Sequence, residues 1–463
     1  MNGKDLEKAL LWEAPHIGEK APEQIPEAQD FCEGYKTFLN EGKTERECVK
    51  KAVTLLENAG YQKFDPKASY KAGDKIYWNN RKKAIIASTI GTKDLNEGLR
   101  MNGAHIDSPR LDLKPNPLFE KDEIAYLKPH YYGGIRKYQW GTVPLSMHGV
   151  VVKADGEVVE ISIGENEGDP QFCVTDLLPH LASEQNGRKL AEGLKGEELN
   201  IIIGSIPYHD EENEKIKNPA KLLAMKLLNE RYGITEKDFT RAEIEMVPAY
   251  KAVDIGLDRG LVGAYGQDDR VCAYTALMAE IGTKNPEHTT FTILTDKEEI
   301  GSVGNTGLHS DYVHHAVEDL AESFGADTKT VLRHSICLSS DVNAAYDPTF
   351  ASVYESRNSS YVNKGCVLTK YTGARGKSGS SDASAETMAK VIGIMEENGV
   401  YWQTGELGAV DAGGGGTIAQ YVAMMDVDVV DLGVPILSMH APFELASELD
   451  VYNTYKAFCA FYK

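Results

Sequence analysis

From about residue 255 to the C-terminus, short apolar runs alternate with segments of helical character, and this alternation restricts the fold more than any other feature. LVGAYG leads into DDRVCAYTALMAEIG, TTFTILTD into KEEIGSVGNTG, HSICLSSD into VNAAYD, and VVDLGVPILSMH into a C-terminal segment. In that last segment Leu449, Tyr452, Tyr455, Phe458, Cys459 and Tyr462 share one face of a predicted amphipathic helix. Apolar runs without polar alternation suit strands covered on both faces. Their alternation with helices predicts a largely parallel sheet flanked by helices.

The first hundred residues fit the same plan. Residues 27–60 read as helical, with CVKKAVTLLENAGY stopping at Gly60, and KIYWNN, KKAIIAST and LRMNGAHIDSP read as strands between Gly and Asn turns. Residues 110–254 differ. They hold the Pro-rich LDLKPNPLFE, a hairpin in HGVVVKADGEVVEISIG turning at Asp155-Gly156, an apolar NIIIGSIPY and the helical AKLLAMKLLNERYGI. The predicted architecture is α/β: a mixed, mostly parallel sheet flanked by helices, built from residues 1–107 plus 255–463. A β-rich insertion of residues 108–254 interrupts it.

The apolar runs share a chemical signature. Four end at acid or imidazole groups: Asp268-Asp269, Asp296 with Glu298-Glu299, Asp341, and His440; a fifth, His105 with Asp107, follows LRMNGA. The carboxyl ends of strands in an open parallel sheet form its ligand crevice, so these groups are expected to converge. Carboxylate and imidazole together are the usual ligands of zinc or manganese. Each element alone has an ordinary explanation: a helix cap at Asp268 or Asp269, a solvated Glu298-Glu299 pair, an Asx-turn at Asp341, core histidines at His105 and His440. Five such groups at corresponding strand ends point to a metal site.

Charge and cysteine content bound the partners. Lys+Arg number 49 against 70 Asp+Glu, a net charge of −21. That surface repels phosphate backbones and anionic lipid, so neither nucleic acid nor membrane is an expected partner. MNGKDLEKALLWEAPHIGEK has no basic region ahead of an apolar core, and seven scattered cysteines form no CxxC pair. A cytoplasmic location without secretory signal or disulfide framework is expected.

The ordered set GAHIDSPRLD, GQDDR, LTDKEEIGS, LSSDVNAAYD and SMHAPFELASELD resembles the aspartyl aminopeptidase family of dinuclear metallopeptidases, covering residues 103–450. The resemblance implies removal of N-terminal residues from peptides with two divalent ions, zinc first, manganese or cobalt being accepted by the same ligand types. It makes His105 and Asp341 ligands of one metal, His440 and Glu299 ligands of the other, and Asp268 the bridging carboxylate. Asp269 should not bridge. Glu298 matches the general base, unligated and beside the attacking water. Asp107 matches the carboxylate that orients the His105 imidazole. His180, in LLPHLASE, resembles an insertion histidine that reaches a neighbouring subunit's site and supports the oxyanion. His130, His148 and His209 lie in the same insertion. The insertion is implied to build dimers that assemble into a tetrahedral dodecamer, admitting peptides and excluding folded proteins.

Other features have smaller readings. Gly413–Gly416 in DAGGGGTIAQYV lacks the P-loop Lys-Ser/Thr ending and reads as a backbone wall beside bound peptide. Lys370 and Lys377 lie near the family's substrate-contacting lysine. His314-His315 read as helix surface, and Tyr131, Tyr132 and Trp140 as packing of the insertion. The family's acid-specific members carry His where Ala344 stands and Tyr where Gly379 stands, so the expected first-residue preference is acidic or broader. Rival readings are another dinuclear amide hydrolase, such as a deacylase or carboxypeptidase, and a non-catalytic assembly protein.

Overall fold

A computed structural model describes residues 2–209 and 216–463. A nine-stranded sheet forms its centre. Thr290–Thr295, Arg100–His105, Ile336–Ser339 and Asp428–Gly433 lie side by side and parallel within it. Antiparallel pairs flank these four: Ala84–Thr89 beside Thr290–Thr295, and Cys366–Thr369 beside Asp428–Gly433. The sheet is therefore mixed, with a parallel core.

Helices cover both faces, which explains the unbroken apolar runs. Ile85, Ala87, Ala104 and Leu294 pack with Tyr35, Phe38, Val49 and Leu277 of helices Gln24–Glu41, Glu45–Asn58 and Gln267–Gly282. Ile86, Met101, Phe291, Ile293 and Val429 face the other way, against Val313, Val317, Leu320 and Val422. Alternate residues of one strand thus enter opposite cores, as the period of two dictates.

Residues between Arg110 and Pro248 form a second, antiparallel sheet. Six of its seven strands close on themselves, because Ala242–Pro248 pairs with both Arg110–Lys121 and Pro144–Val152. Leu111, Leu127, Leu145, Met147, Phe172, Val174, Ile201 and Met246 fill this barrel together with Trp140. The hairpin turning at Asp155-Gly156 joins Pro144–Val152 to Val158–Ile163, with Gly156 at φ +90°.

A third sheet of five short strands corrects the expectation of a single crevice-bearing sheet. It contains Leu261–Ala264, Pro435–Leu437 and Glu444–Ser447, the runs that precede Asp268 and flank His440. Two helical expectations also fail. KEEIGSVGNTG holds one 3-10 turn, Glu298–Ile300, and VNAAYD holds the two-residue strand Asn343–Ala344. The C-terminal helix Glu448–Phe461 is not amphipathic: Leu449, Val451, Asn453, Thr454, Ala457, Phe458 and Phe461 are buried around most of its circumference. It lies between helices Gln24–Glu41, Gln267–Gly282 and Ala385–Glu397, and packing on several sides removes the need for a polar face.

One buried ionic contact ties the barrel to the helical layer. His148 Nδ1 lies 2.8 Å from Glu47 Oε1, and Nε2 lies 3.0 Å from Ser146 Oγ and 3.6 Å from Glu165. Burial opposes charging of this imidazole, but hydrogen bonds to Glu165 and Glu47 prevail and push its pKa up to about 9. A raised folded-state value contributes stability that is full below the unfolded pKa of about 6.5 and lost as pH rises through about 9. His148→Gln should therefore lower unfolding free energy by on the order of 2–3 kcal/mol at pH 6 and by much less at pH 9, read by urea unfolding at both. An equal loss at the two pH values would show that the imidazole charge contributes nothing.

Candidate metal centre

Seven of the sequence-predicted groups meet at one place. His105 ends a central parallel strand, Glu298 and Glu299 follow the neighbouring Thr290–Thr295 strand, and Asp341 follows Ile336–Ser339 on the other side. Asp268 and His440 arrive from the five-stranded sheet. Asp268, with φ and ψ of −78° and 107°, turns its carboxylate oxygens to His105 and His440. The Asp268–Asp269 peptide is cis.

Asp268 is the hub. Its Oδ1 lies 3.2 Å from His105 Nε2 and its Oδ2 lies 3.1 Å from His440 Nε2. His440 Nε2 is also 3.6 Å from Glu299 Oε1, and His105 Nε2 is 3.8 Å from Asp341 Oδ1 and 4.0 Å from Glu298 Oε2. A tetrahedral zinc site with bonds of about 2.0–2.1 Å has ligand-to-ligand edges of about 3.3–3.4 Å, so the shorter of these separations suit coordination. Donor atoms of His105, Glu298 and Asp341, and of His105, Asp268 and Glu299, lie within 4.8 Å of one another. That grouping makes Glu298 a possible ligand as well as a possible base.

Both imidazoles are oriented by main-chain carbonyls. His105 Nδ1 is 2.9 Å from the Asp107 carbonyl oxygen, and His440 Nδ1 is 2.7 Å from that of Gly134. Carbonyls only accept, so each ring donates through Nδ1 and turns Nε2 to the centre. Asp107 stands beside the His105 ring, as the resemblance implies, and has a second set of partners. Its carboxylate sits 3.4 Å from His105 Nδ1, but it accepts from the main-chain N–H groups of Glu298 and Glu299, both at 3.2 Å, and from the Tyr132 hydroxyl at 2.7 Å. It holds the glutamate pair more directly than the ring.

The barrel also reaches the centre. Tyr132, read from sequence as packing, ends the Ile124–Tyr132 strand, and Gly133 and Gly134 follow it. Gly133 has φ +73°, and a Cβ there would stand 3.0 Å from Glu299 Oε2; one on Gly134 would stand 3.3 Å from His440 Nδ1. Only glycines let this segment pass so close. Glu444 is a further group the sequence did not single out: its buried carboxylate accepts from the main-chain N–H groups of Gln267, Asp268 and His440.

The electrostatics favour a cation. Burial, with the charge of Asp107 and Asp268, pushes the Glu298 carboxyl up to about 7 against the pull of His105. Burial and the Asp268 charge push Glu299 well above the usual carboxylate range, and burial with Asp269 does the same to Asp341. Burial works against Asp268 ionisation too, yet its bonds to His105 and His440 hold it below that range. The ring of His440 is driven the other way, up to about 10, because the Asp268 carboxylate outweighs its burial. Glu299 Oε1 has no hydrogen-bond partner although it is buried. An oxygen-and-imidazole donor set with too little positive charge, and one orphaned carboxylate oxygen, fits divalent metal.

The centre opens into a cavity of about 680 Å³. Gly414, Gly415 and Gly416 line it, as the backbone-wall reading requires, with Asn343, Thr369, Thr372, Leu407, Thr417, Gln420, Asp431 and Met439. Arg136 is its one Lys or Arg side chain among the described residues. Lys370 and Lys377 do not line it; both bind Asp382, at 2.6 and 2.8 Å. Asp296 turns away, accepting from Thr306 at 2.6 Å. His180 is exposed on a 3-10 turn, Pro179–Leu181, and does not line this chain's own cavity. Asp268→Asn removes the charge common to both imidazoles. It should weaken zinc binding beyond the about 10–100-fold typical of losing an outer partner, measured by chelator competition; unchanged affinity would remove Asp268 from the centre.

Comparison with known proteins follows the geometry. Residues 38–462 match the family model described as aminopeptidase I zinc metalloprotease (M18). A probable M18 family aminopeptidase 1 of Clostridium acetobutylicum is 48% identical, covering 95% of each chain. The crystal structure of an M18 family aminopeptidase from Thermotoga maritima superposes with a TM-score of 0.94 at 43% identity, covering 98% of this chain and 100% of that one. The S. cerevesiae mApe1 dodecamer, 21% identical, shares the fold with a TM-score of 0.74 over 94% of this chain and 95% of that one. With a zinc-suited donor set at the convergence of two sheets, and with identity of this extent over nearly its whole length, the chain belongs to the M18 family of zinc metalloaminopeptidases.

Proposed function

We propose that this aminopeptidase works with two divalent ions, one held by His105 and Asp341, the other by His440 and Glu299, with Asp268 joined to both. The observation that carries this reading is the division of the Asp268 carboxylate, Oδ1 toward one imidazole at 3.2 Å and Oδ2 toward the other at 3.1 Å. Zinc bound there supplies Lewis acidity for a peptide carbonyl and lowers the pKa of water. Glu298 then serves as the base: it takes a proton from the attacking water and passes it to the leaving amine. Its main-chain N–H is held by Asp107, which Tyr132 holds in turn, so the carboxylate is aimed by two bonds outside the cavity.

The organisation of the chain follows from the same reading. Residues 1–107 plus 255–463 constitute the catalytic unit, and residues 108–254 an insertion that pairs two copies. Exposed Leu177, Leu178 and Leu181 around His180 offer an apolar contact, through which His180 would enter the neighbouring copy's cavity and support the oxyanion. A dodecamer like the S. cerevesiae one is the assembly this implies. A cytoplasmic location accords with seven unpaired cysteines. No helix among the described residues is long and apolar enough to cross a membrane. Outside the metal centre the cavity wall is neutral except for Arg136 and Asp431, and Lys370 and Lys377 are engaged elsewhere; with a single cation against that acid, a first-residue preference broader than acidic is favoured.

Three outcomes test these statements. Glu298→Gln should keep its zinc and lose about 100-fold or more in kcat, the scale of general-base catalysis; full activity in the metal-loaded variant would remove Glu298 from that role. Tyr132→Phe should lower kcat by about 10–100-fold with little change in KM, because it loosens the hold on the glutamate pair without touching substrate. Across aminoacyl peptides, neutral first residues should match or exceed Asp and Glu in kcat/KM, and N-acetylated peptides should resist. A preference of about tenfold or more for acidic residues would overturn the broader reading.

A further inference from the structure

We propose that Glu444 is a positioning residue of the metal centre: one buried carboxylate fixes the spacing of Asp268 and His440 by accepting main-chain N–H bonds from both ligand-bearing turns at once. Its Oε2 accepts from Gln267 at 2.7 Å and Asp268 at 3.1 Å, and its Oε1 accepts from His440 at 2.7 Å. Glu444 is 1% exposed and does not line the cavity, so it acts on the ligands and not on substrate.

The two turns need such a clamp because neither is regular. Glu444 opens the strand Glu444–Ser447 and stands opposite Ala264, the last residue of Leu261–Ala264. Beyond Ala264 the chain leaves the ladder and reaches Asp268 without helical dihedrals. On the other side Ser438 and His440 have φ of +60° and +63°, the left-handed region that is unfavourable for a residue with a Cβ. The bond from His440 N–H to a carboxylate four residues later closes that turn. Gln267 strengthens the connection, its side-chain amide donating to the Glu444 carbonyl at 2.6 Å and the Val262 carbonyl at 3.0 Å while its Oε1 accepts from the Tyr35 hydroxyl at 3.1 Å. The Asp268–His440 separation is thus spanned by a single side chain with an oxygen on each turn.

This inference rests on the two-ion reading above, and it predicts an unequal effect on the two positions. Glutamine at 444 keeps the shape but offers one acceptor oxygen, and its amide N–H₂ would face an N–H on the other turn. In the full-length enzyme, Glu444→Gln should weaken by about 10–100-fold the zinc held through His440, Glu299 and Asp268, whose two turns the clamp joins, and weaken less the zinc on His105 and Asp341, which shares only Asp268 with it. Chelator competition would read this as one tight and one weakened step, and the visible absorption of the cobalt-substituted protein should change with it. Glu444→Asp, which keeps the charge but withdraws it by one methylene, should fall between wild type and Glu444→Gln. It carries the same comparison if the glutamine variant does not fold. His148→Gln, whose imidazole touches Glu47, Ser146 and Glu165 and no group of the centre, shows how much zinc affinity falls when the hold on the barrel is loosened without touching the clamp. Zinc affinity within about twofold of wild type, or no weaker than that of His148→Gln, would overturn the clamp. Wild-type protein that binds no zinc would instead overturn the metal assignment, and wild-type protein that saturates at one zinc per chain would overturn the two-ion count.

Discussion

Charge crowding governs the architecture of the centre. Asp107, Asp268, Glu298, Glu299 and Asp341 share a buried cluster in which His105 and His440 are the near basic groups. Buried carboxylates left without partners are expensive, and the molecule provides for them in two ways. Those behind the ligands take N–H and O–H donors from the chain: Asp107 from Glu298, Glu299 and Tyr132, and Glu444 from Gln267, Asp268 and His440. Those facing the cavity, chiefly Asp268, Glu299 and Asp341, have imidazoles beside them and too little positive charge to satisfy all three. Zinc held by these groups would fill that need, and its binding would displace protons that the cluster otherwise holds.

The same demand explains why three sheets meet at one point. The central sheet delivers His105, the glutamate pair and Asp341 from adjacent parallel strands, which places them a strand spacing apart on one edge. A single edge cannot surround an ion. Asp268 and His440 come from the five-stranded sheet, and the barrel sends Tyr132, Gly133 and Gly134 against Asp107, Glu299 and His440. Movement of the barrel relative to the central sheet would therefore disturb the metal ligands themselves. A β-rich segment that sequence suggests is an appendage for assembly thus also contacts the groups of the candidate metal centre.

Legibility in the sequence followed the directness of each group's role. His105, Asp268, Glu298, Glu299, Asp341 and His440 could be read as one group because acid and imidazole side chains stand at the ends of apolar runs. Asp107 was read for its place beside the His105 ring; its bonds to Glu298 and Glu299 escaped, because they run through main-chain N–H groups that carry no residue signature. Glu444, inside SMHAPFELASELD, escaped for the same reason, since nothing in its spacing says which distant backbone it meets. Tyr132, before a Gly-Gly pair, escaped because only the fold brings its hydroxyl to the Asp107 carboxylate. The C-terminal helix misled because one apolar face was visible, whereas its polar Asn453 and Thr454 are buried with their hydrogen bonds satisfied.

By itself the amino-acid order determined which strands are covered on both faces, that a β-rich passage interrupts them, and which side chains could hold metal. Those properties are local: they depend on hydrophobic periodicity and on the chemistry each side chain carries. The tertiary structure alone decided that the ligands come from two sheets, that both rings point Nε2 at one carboxylate, and that Asp107 and Glu444 grip backbone. Such relations join residues up to several hundred positions apart through N–H and C=O groups common to every residue, so only the folded chain reveals them.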